Sequence, residues 1–117
     1  MRWQVLIADE FAVEMENLVP QVQDAILARA ELLARLGPGL GRPYADTLIG
    51  SRYANMKELR FLLPDGVWRV AFAFDPQRQA ILLVCGNKSG VNEKRFYKSL
   101  IAKADQRFAD YLRFLKD

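Results

Sequence analysis

The sequence has no histidine and only one cysteine, and its aspartates and glutamates do not cluster at metal-ligand spacing. A zinc site therefore cannot be assembled, and neither can a Ser-His-Asp or Cys-His nucleophile, which excludes most common hydrolase chemistries. One cysteine cannot form an intramolecular disulfide, and Cys85 ends the apolar run Ile81-Leu82-Leu83-Val84-Cys85, the setting of a buried, inert thiol. No stretch approaches the roughly 18 apolar residues of a membrane span. The apolar run after Met1-Arg2 is too short for a signal peptide, so the expected location is the cytoplasm, with no membrane partner. No cofactor is expected, and neither internal repeats nor low-complexity segments interrupt the chain. What remains is 117 residues of which 51% are hydrophobic, enough for one core, and residues 1–117 are read as a single domain. Seventeen basic residues against 14 acidic ones leave a net charge of +3, a balance that leans toward nucleic acid without requiring it.

Hydrophobic periodicity predicts an α+β domain. Trp3 to Ala8 reads as a short strand, followed by a helix cap at Asp9 and a brief helix through Phe11 and Met15. Pro20 sits where a first-turn proline is tolerated, and Val22, Ile26, Ala30 and Leu33 recur at about one helical turn until Gly37-Pro38-Gly39 stops the second helix. Leu40 to Ser51, with Gly41-Arg42-Pro43 and Gly50, reads as a loop long enough to touch a ligand. Met56–Leu63, Val67–Asp75 and Ala80–Asn87, separated by short turns, form an antiparallel meander. Alternation places Trp68, Val70, Phe72 and Phe74 toward a helix-covered core, together with Leu59, Phe61 and Leu63 of the preceding strand. The opposite face carries Glu58, Arg60 and Arg69 beside the small Ala71 and Ala73, and is expected to be a shallow polar groove. Asn92 caps a last helix whose stripe of Phe96, Leu100, Ala104, Phe108, Leu112 and Leu115 is packing surface.

The polar residues on these elements form a basic rim with one aromatic: Lys57, Glu58 and Arg60, then Arg69, then Lys88, Lys94, Arg95, Tyr97 and Lys98. Guanidinium groups suit a phosphodiester because the planar fork donates two hydrogen bonds and stays charged at any physiological pH. Metal-free RNA cleavage needs the ribose 2′-hydroxyl as nucleophile, a base, cations to stabilise the added negative charge, and an acid for the leaving oxygen. Lys, Tyr and Arg can fill those roles, but free Lys and Tyr titrate near about 10, so substrate positioning must supply much of the rate. A different account of Glu58, Arg60 and Arg69 is a surface ion-pair cluster.

In order along the chain, Gly41-Arg42-Pro43, Leu48, Gly50-Ser51-Arg52, Asn55-Met56-Lys57-Glu58-Leu59-Arg60, Trp68-Arg69-Val70, Ala73-Phe74-Asp75-Pro76, Gly86-Asn87-Lys88-Ser89-Gly90, Lys94-Arg95-Phe96-Tyr97 and Ile101, Ala102, Ala104, Asp105 resemble the HigB/RelE-like toxins of toxin-antitoxin pairs, in their phage-derived HigB-like subgroup. The resemblance implies a RelE-like fold, with two amino-terminal helices packed on a small antiparallel sheet and a carboxy-terminal helix alongside. It implies a ribosome-dependent mRNA endoribonuclease that inhibits translation and is silenced by a cognate antitoxin, often a helix-turn-helix protein, in a complex that also binds operator DNA. Carried over by motif, Arg69 is the arginine of the aromatic-Arg pair and Arg60 the basic strand residue, with Lys88 and Tyr97 matching further functional positions. Lys57, Lys88 and Tyr97 are the candidates for proton transfer and alignment, and Arg52, Lys94, Arg95 and Lys98 for RNA binding. Glu58 stands where RelE has a lysine, and Tyr53 where relatives often show histidine. Two rival functions share this fold: a ParE-like, non-catalytic inhibitor of DNA gyrase, which the missing histidine favours, and an inactive antitoxin-binding relative.

Overall fold

The computed structural model describes residues 2–116; Met1 and Asp117, the outermost residues of the expected domain, lie outside it. Strand β1 (Gln4–Ile7) leads into helices α1 (Asp9–Met15) and α2 (Pro20–Leu36), and after a short 3-10 turn come strands β2 (Ala45–Thr47), β3 (Met56–Leu63), β4 (Gly66–Phe74) and β5 (Gln79–Asn87) and helix α3 (Glu93–Lys116). The strands form one sheet in the order β1-β5-β4-β3-β2, antiparallel except for the parallel pair of β1 with β5. No helix among the described residues is long and apolar enough to cross a membrane.

Local signals account for most boundaries. Pro20 occupies the first turn of α2, where its missing N–H is not needed, and Gly37 ends that helix at φ 55, a conformation open to glycine at no steric cost. Gly37 also abuts the Trp3 indole, which a Cβ would meet at 2.3 Å. Asn92 caps α3 as expected, its side-chain oxygen accepting from the Arg95 amide at 2.9 Å. Asp9 does not cap α1. The cap position is Ala8, with no side-chain bond, and Asp9 lies one residue inside, where its charge faces the helix dipole.

Two expectations are corrected by packing. Within the segment read as a loop, Ala45–Thr47 pairs with Leu59, Glu58 and Lys57, giving β3 a neighbour it would otherwise lack at the sheet edge. Three residues with one apolar side chain carry no period-2 signal, so the strand was not legible locally. The face bearing Ala71 and Ala73 is not an open groove. Both alanines are fully buried, because α3 lies across them while α2 takes the other face, where Trp3 packs edge-on against Phe74. Alanine there is what lets a helix approach the sheet.

Helix α3 runs along β4. Tyr97 bonds Arg69 at one end and Tyr111 bonds Asp75 at the other. Between those points a helix rises about 21 Å and a strand about 20 Å, so the two elements stay in step. Gly86, opposite Arg69 in the register, makes room for the Phe96 ring, which a Cβ would meet at 2.8 Å.

Candidate functional site

Arg60 and Arg69 are direct partners across β3 and β4, so both side chains leave the sheet on one face with Cβ atoms about 5 Å apart. Two cations so placed repel, and Glu58, two residues before Arg60 on the same face, relieves this. Its carboxylate lies 3.7 Å from Arg69 Nε and 3.8 Å from an Arg60 terminal nitrogen. This is not a surface cluster: Glu58 and Arg69 are each only 4% exposed. Arg69 donates from Nε to the Tyr97 hydroxyl at 3.1 Å and from Nη1 to the Trp68 carbonyl at 3.0 Å. Its guanidinium plane is therefore held in one orientation. Arg60 is freer, with its side chain 26% exposed and Asp46 3.6 Å away.

The electrostatics follow from burial. Glu58 Oε1 is buried without a hydrogen-bond partner, and desolvation raises the Glu58 pKa above the usual carboxylate value despite the opposing pull of Tyr97, Arg69 and Arg60. Burial likewise raises the Tyr97 phenol, with Arg69 opposing and the Glu58 carboxylate adding to the rise. Cys85 sits on the Val70 side of β5 and behaves as an inert thiol, pushed up to about 11 chiefly by burial.

The arginine pair opens into a cleft of about 460 Å³ lined by Arg29, Arg42, Pro43, Tyr44, Arg60, Phe61, Leu62 and Arg69. Arg29 reaches over from α2, donating Nε to the Arg60 carbonyl at 3.1 Å while its guanidinium lies 5.1 Å from the Tyr44 ring centre. Arg42 is held by Asp46 through two hydrogen bonds of 2.9 and 2.6 Å. At the α3 end Lys88 bonds Glu93 at 2.7 Å. Asp46, Glu58 and Glu93 thus oppose four guanidinium groups and the Lys88 ammonium, leaving an excess of positive charge suited to a polyanion.

The structure brings Arg60, Arg69 and Tyr97 into contact through Glu58, and Lys88 stands beside them by way of Glu93, whose carboxyl is lowered mainly by Lys88 and weakly by Arg69 and Arg60. Lys57 is on the other side of β3, opposite Phe72, as period-2 alternation requires, and cannot reach the cluster without a register slip. Arg52 is also remote: its amide bonds Asp105 in the middle of α3, and its side chain lies over Tyr53. Lys94, Arg95 and Lys98 are exposed on the first turns of α3. At about 100° per residue, Lys94 lies nearest the Tyr97 flank, whereas Arg95 turns away toward Asn87 and Val91. The residues that sequence reasoning missed are Arg29 and Tyr44. Arg29 looks like any charged residue on the polar face of a helix, and Tyr44 carried only the signal of following Gly41-Arg42-Pro43.

Residues 13–109 match the family described as phage derived protein Gp49-like. The putative toxin HigB2 of Mycobacterium tuberculosis is 41% identical over 107 residues, covering 88% of this chain and 51% of that protein, so the chain spans about half of that relative's length. The putative toxin HigB3 of the same organism is 48% identical over 89 residues, 75% of each protein. Among solved structures, a doubly mutated E. coli toxin RelE in the free state aligns with TM-score 0.60 at 12% identity, covering 88% of this chain and 97% of that one, a likeness of fold.

Proposed function

The chain belongs to the phage-derived Gp49-like family of HigB/RelE-like proteins, and from that premise we propose that it is the toxin of a toxin-antitoxin pair and a metal-independent endoribonuclease that cuts mRNA on the ribosome. The observation that carries this reading is the arginine pair: Arg69, immobilised by Glu58, Tyr97 and the Trp68 carbonyl, beside the more mobile Arg60, at the mouth of a cationic cleft. A fixed guanidinium next to an adjustable one suits a phosphate whose charge grows in the transition state, because the fixed donor needs no reorganisation as the reaction proceeds. Arg69 and Arg60 bind and stabilise the scissile phosphate. Tyr97 and Lys88 are the groups near enough to align the ribose or move a proton, and Lys94 extends the cationic track along α3. Burial raises the phenol and so keeps Tyr97 protonated and a weaker acid, which suits it to aligning the substrate by hydrogen bonding rather than to giving up its proton. The partners that follow are mRNA, the ribosome, and an antitoxin of helix-turn-helix type that covers Arg60 and Arg69, the complex also binding operator DNA.

Primer extension on a reporter mRNA, after induction in bacteria, tests the reading. The parent should cut within translated codons, and cutting should vanish when translation of the reporter is blocked. Arg60→Ala, whose side chain is partly exposed, is the informative variant and should reduce cutting by about 100-fold or more, the scale for losing one oxyanion donor. Growth arrest without cuts would instead support a non-catalytic target such as gyrase, and no arrest at all an inactive antitoxin-binding relative.

A further inference from the structure

The cleft is larger than one phosphate requires, and its far half has a different chemistry. Against the α2 and β2 side, Arg29, Pro43 and Tyr44 face the exposed Leu62. Tyr44 is 40% exposed and Leu62 is 73% exposed, so two large apolar side chains stand in solvent at the rim of a cationic cleft. The Arg29 guanidinium, fixed through Nε to the Arg60 carbonyl, covers part of the Tyr44 ring and leaves its terminal nitrogens without a protein partner among the described residues. The Tyr44 backbone is itself pinned, its carbonyl accepting from the Arg60 amide at 2.8 Å. Arg29 and Tyr44 are thus preorganised on the same residue that reaches the phosphate.

We propose that Arg29 and Tyr44, with Leu62 opposite, form a nucleobase-stacking subsite that seats an unpaired base next to the phosphate held by Arg60 and Arg69, a reading that rests on the nuclease function proposed above. An exposed aromatic ring and a guanidinium plane are the two surfaces on which proteins stack unpaired bases, and a base placed there is one that single-stranded mRNA can offer. The terminal nitrogens of Arg29 would donate to acceptors at the edge of a base seated on Tyr44, such as those of guanine, and so give a preference among bases. The subsite would therefore contribute to where along a message the chain cuts.

The test uses the whole protein and short fluorescein-labelled RNAs with 2′-O-methyl riboses, which cannot be cleaved through the 2′-hydroxyl, each lacking the base at one position. Binding is followed by fluorescence anisotropy for the parent, Tyr44→Leu, Tyr44→Phe and Arg60→Ala. For the parent, removing the base at one position should weaken binding by about ten-fold, the scale of one stacked base. Tyr44→Leu should bind the intact RNA about ten-fold more weakly and be indifferent to that missing base, and Tyr44→Phe should behave as the parent. Arg60→Ala should weaken every RNA alike. If Tyr44→Leu stays as sensitive to the missing base as the parent, or binds the intact RNA equally well, the subsite is wrong while the phosphate site stands. If the parent binds none of these RNAs, the subsite falls, while the nuclease reading is decided separately by the cuts seen in primer extension.

Discussion

Glu58 shows how one residue can serve stability and site geometry with opposite pH preferences. Ionised, it offsets two facing arginines; buried, it resists ionisation, and desolvation is the larger effect. Because its folded pKa lies above the ordinary value near 4.5, the unfolded chain releases this proton first as pH rises. The stabilisation from Glu58 is thus complete below that ordinary value and is withdrawn as pH climbs from there through the raised pKa. Glu58→Gln stays neutral throughout, so its Tm relative to the parent should increase between about pH 4 and pH 7, and a difference that is flat or falls with pH would sink this account. Breaking the pair from the other side is harsher. Arg69→Ala strands a buried carboxylate at a cost of about 3–5 kcal/mol, a large part of a small domain's stability, and for that reason Arg60→Ala is the cleaner functional variant. The arginines and Glu58 were legible in the sequence as residues on one strand face. Their burial was not, because it depends on α3 arriving from elsewhere in the chain.

At the scale of elements, β5 and α3 are joined by a contact that the amino-acid pattern conceals. The register between β4 and β5 slips after Ala71, so that Leu83 has no partner opposite it. Arg107 of α3 donates to the Leu83 carbonyl at 2.8 Å and clasps the Glu14 carboxylate of α1 with bonds of 2.8 and 2.6 Å. The guanidinium holds the Glu14 carboxyl below its usual value, mainly through these hydrogen bonds, while burial opposes. Arg107→Ala removes a charge-assisted bond from a bulge carbonyl that the sheet leaves over. It should lower stability in urea by about 2–3 kcal/mol, whereas a loss under about 0.5 kcal/mol would mean that water replaces the arginine. Helix lengths, the Pro20 start, the Gly37 stop and the Asn92 cap follow from local chemistry and were readable. The bulge, the β2 pairing and the role of Arg107 arise from register and approach, which no local window contains.

Over the whole molecule, the central strands β4 and β5 are largely covered on both faces, and the largest enclosed side chains include Phe72 of β4, Phe11 of α1 and Phe108 of α3. A net charge of +3 is small, so the RNA affinity proposed above would have to come from the local concentration of arginines in the cleft rather than from the overall field. If about three phosphates are contacted, the logarithm of RNA affinity should fall with the logarithm of salt at a slope near −2, and a slope near zero would exclude phosphate contacts as the source of binding. The class of fold, the three central strands, the limits of the long helices and the shared face of Arg60 and Arg69 were determined by the sequence alone, because hydrophobic period and turn chemistry act within a few residues. Only the tertiary structure decided that α3 roofs the alanine face, that Glu58 and Arg69 are buried, that Lys57 and Arg52 stand apart, and that Arg29 and Tyr44 complete the cleft. Each of these depends on which distant element comes to lie above a given side chain, and burial is a property of that neighbour as much as of the residue itself.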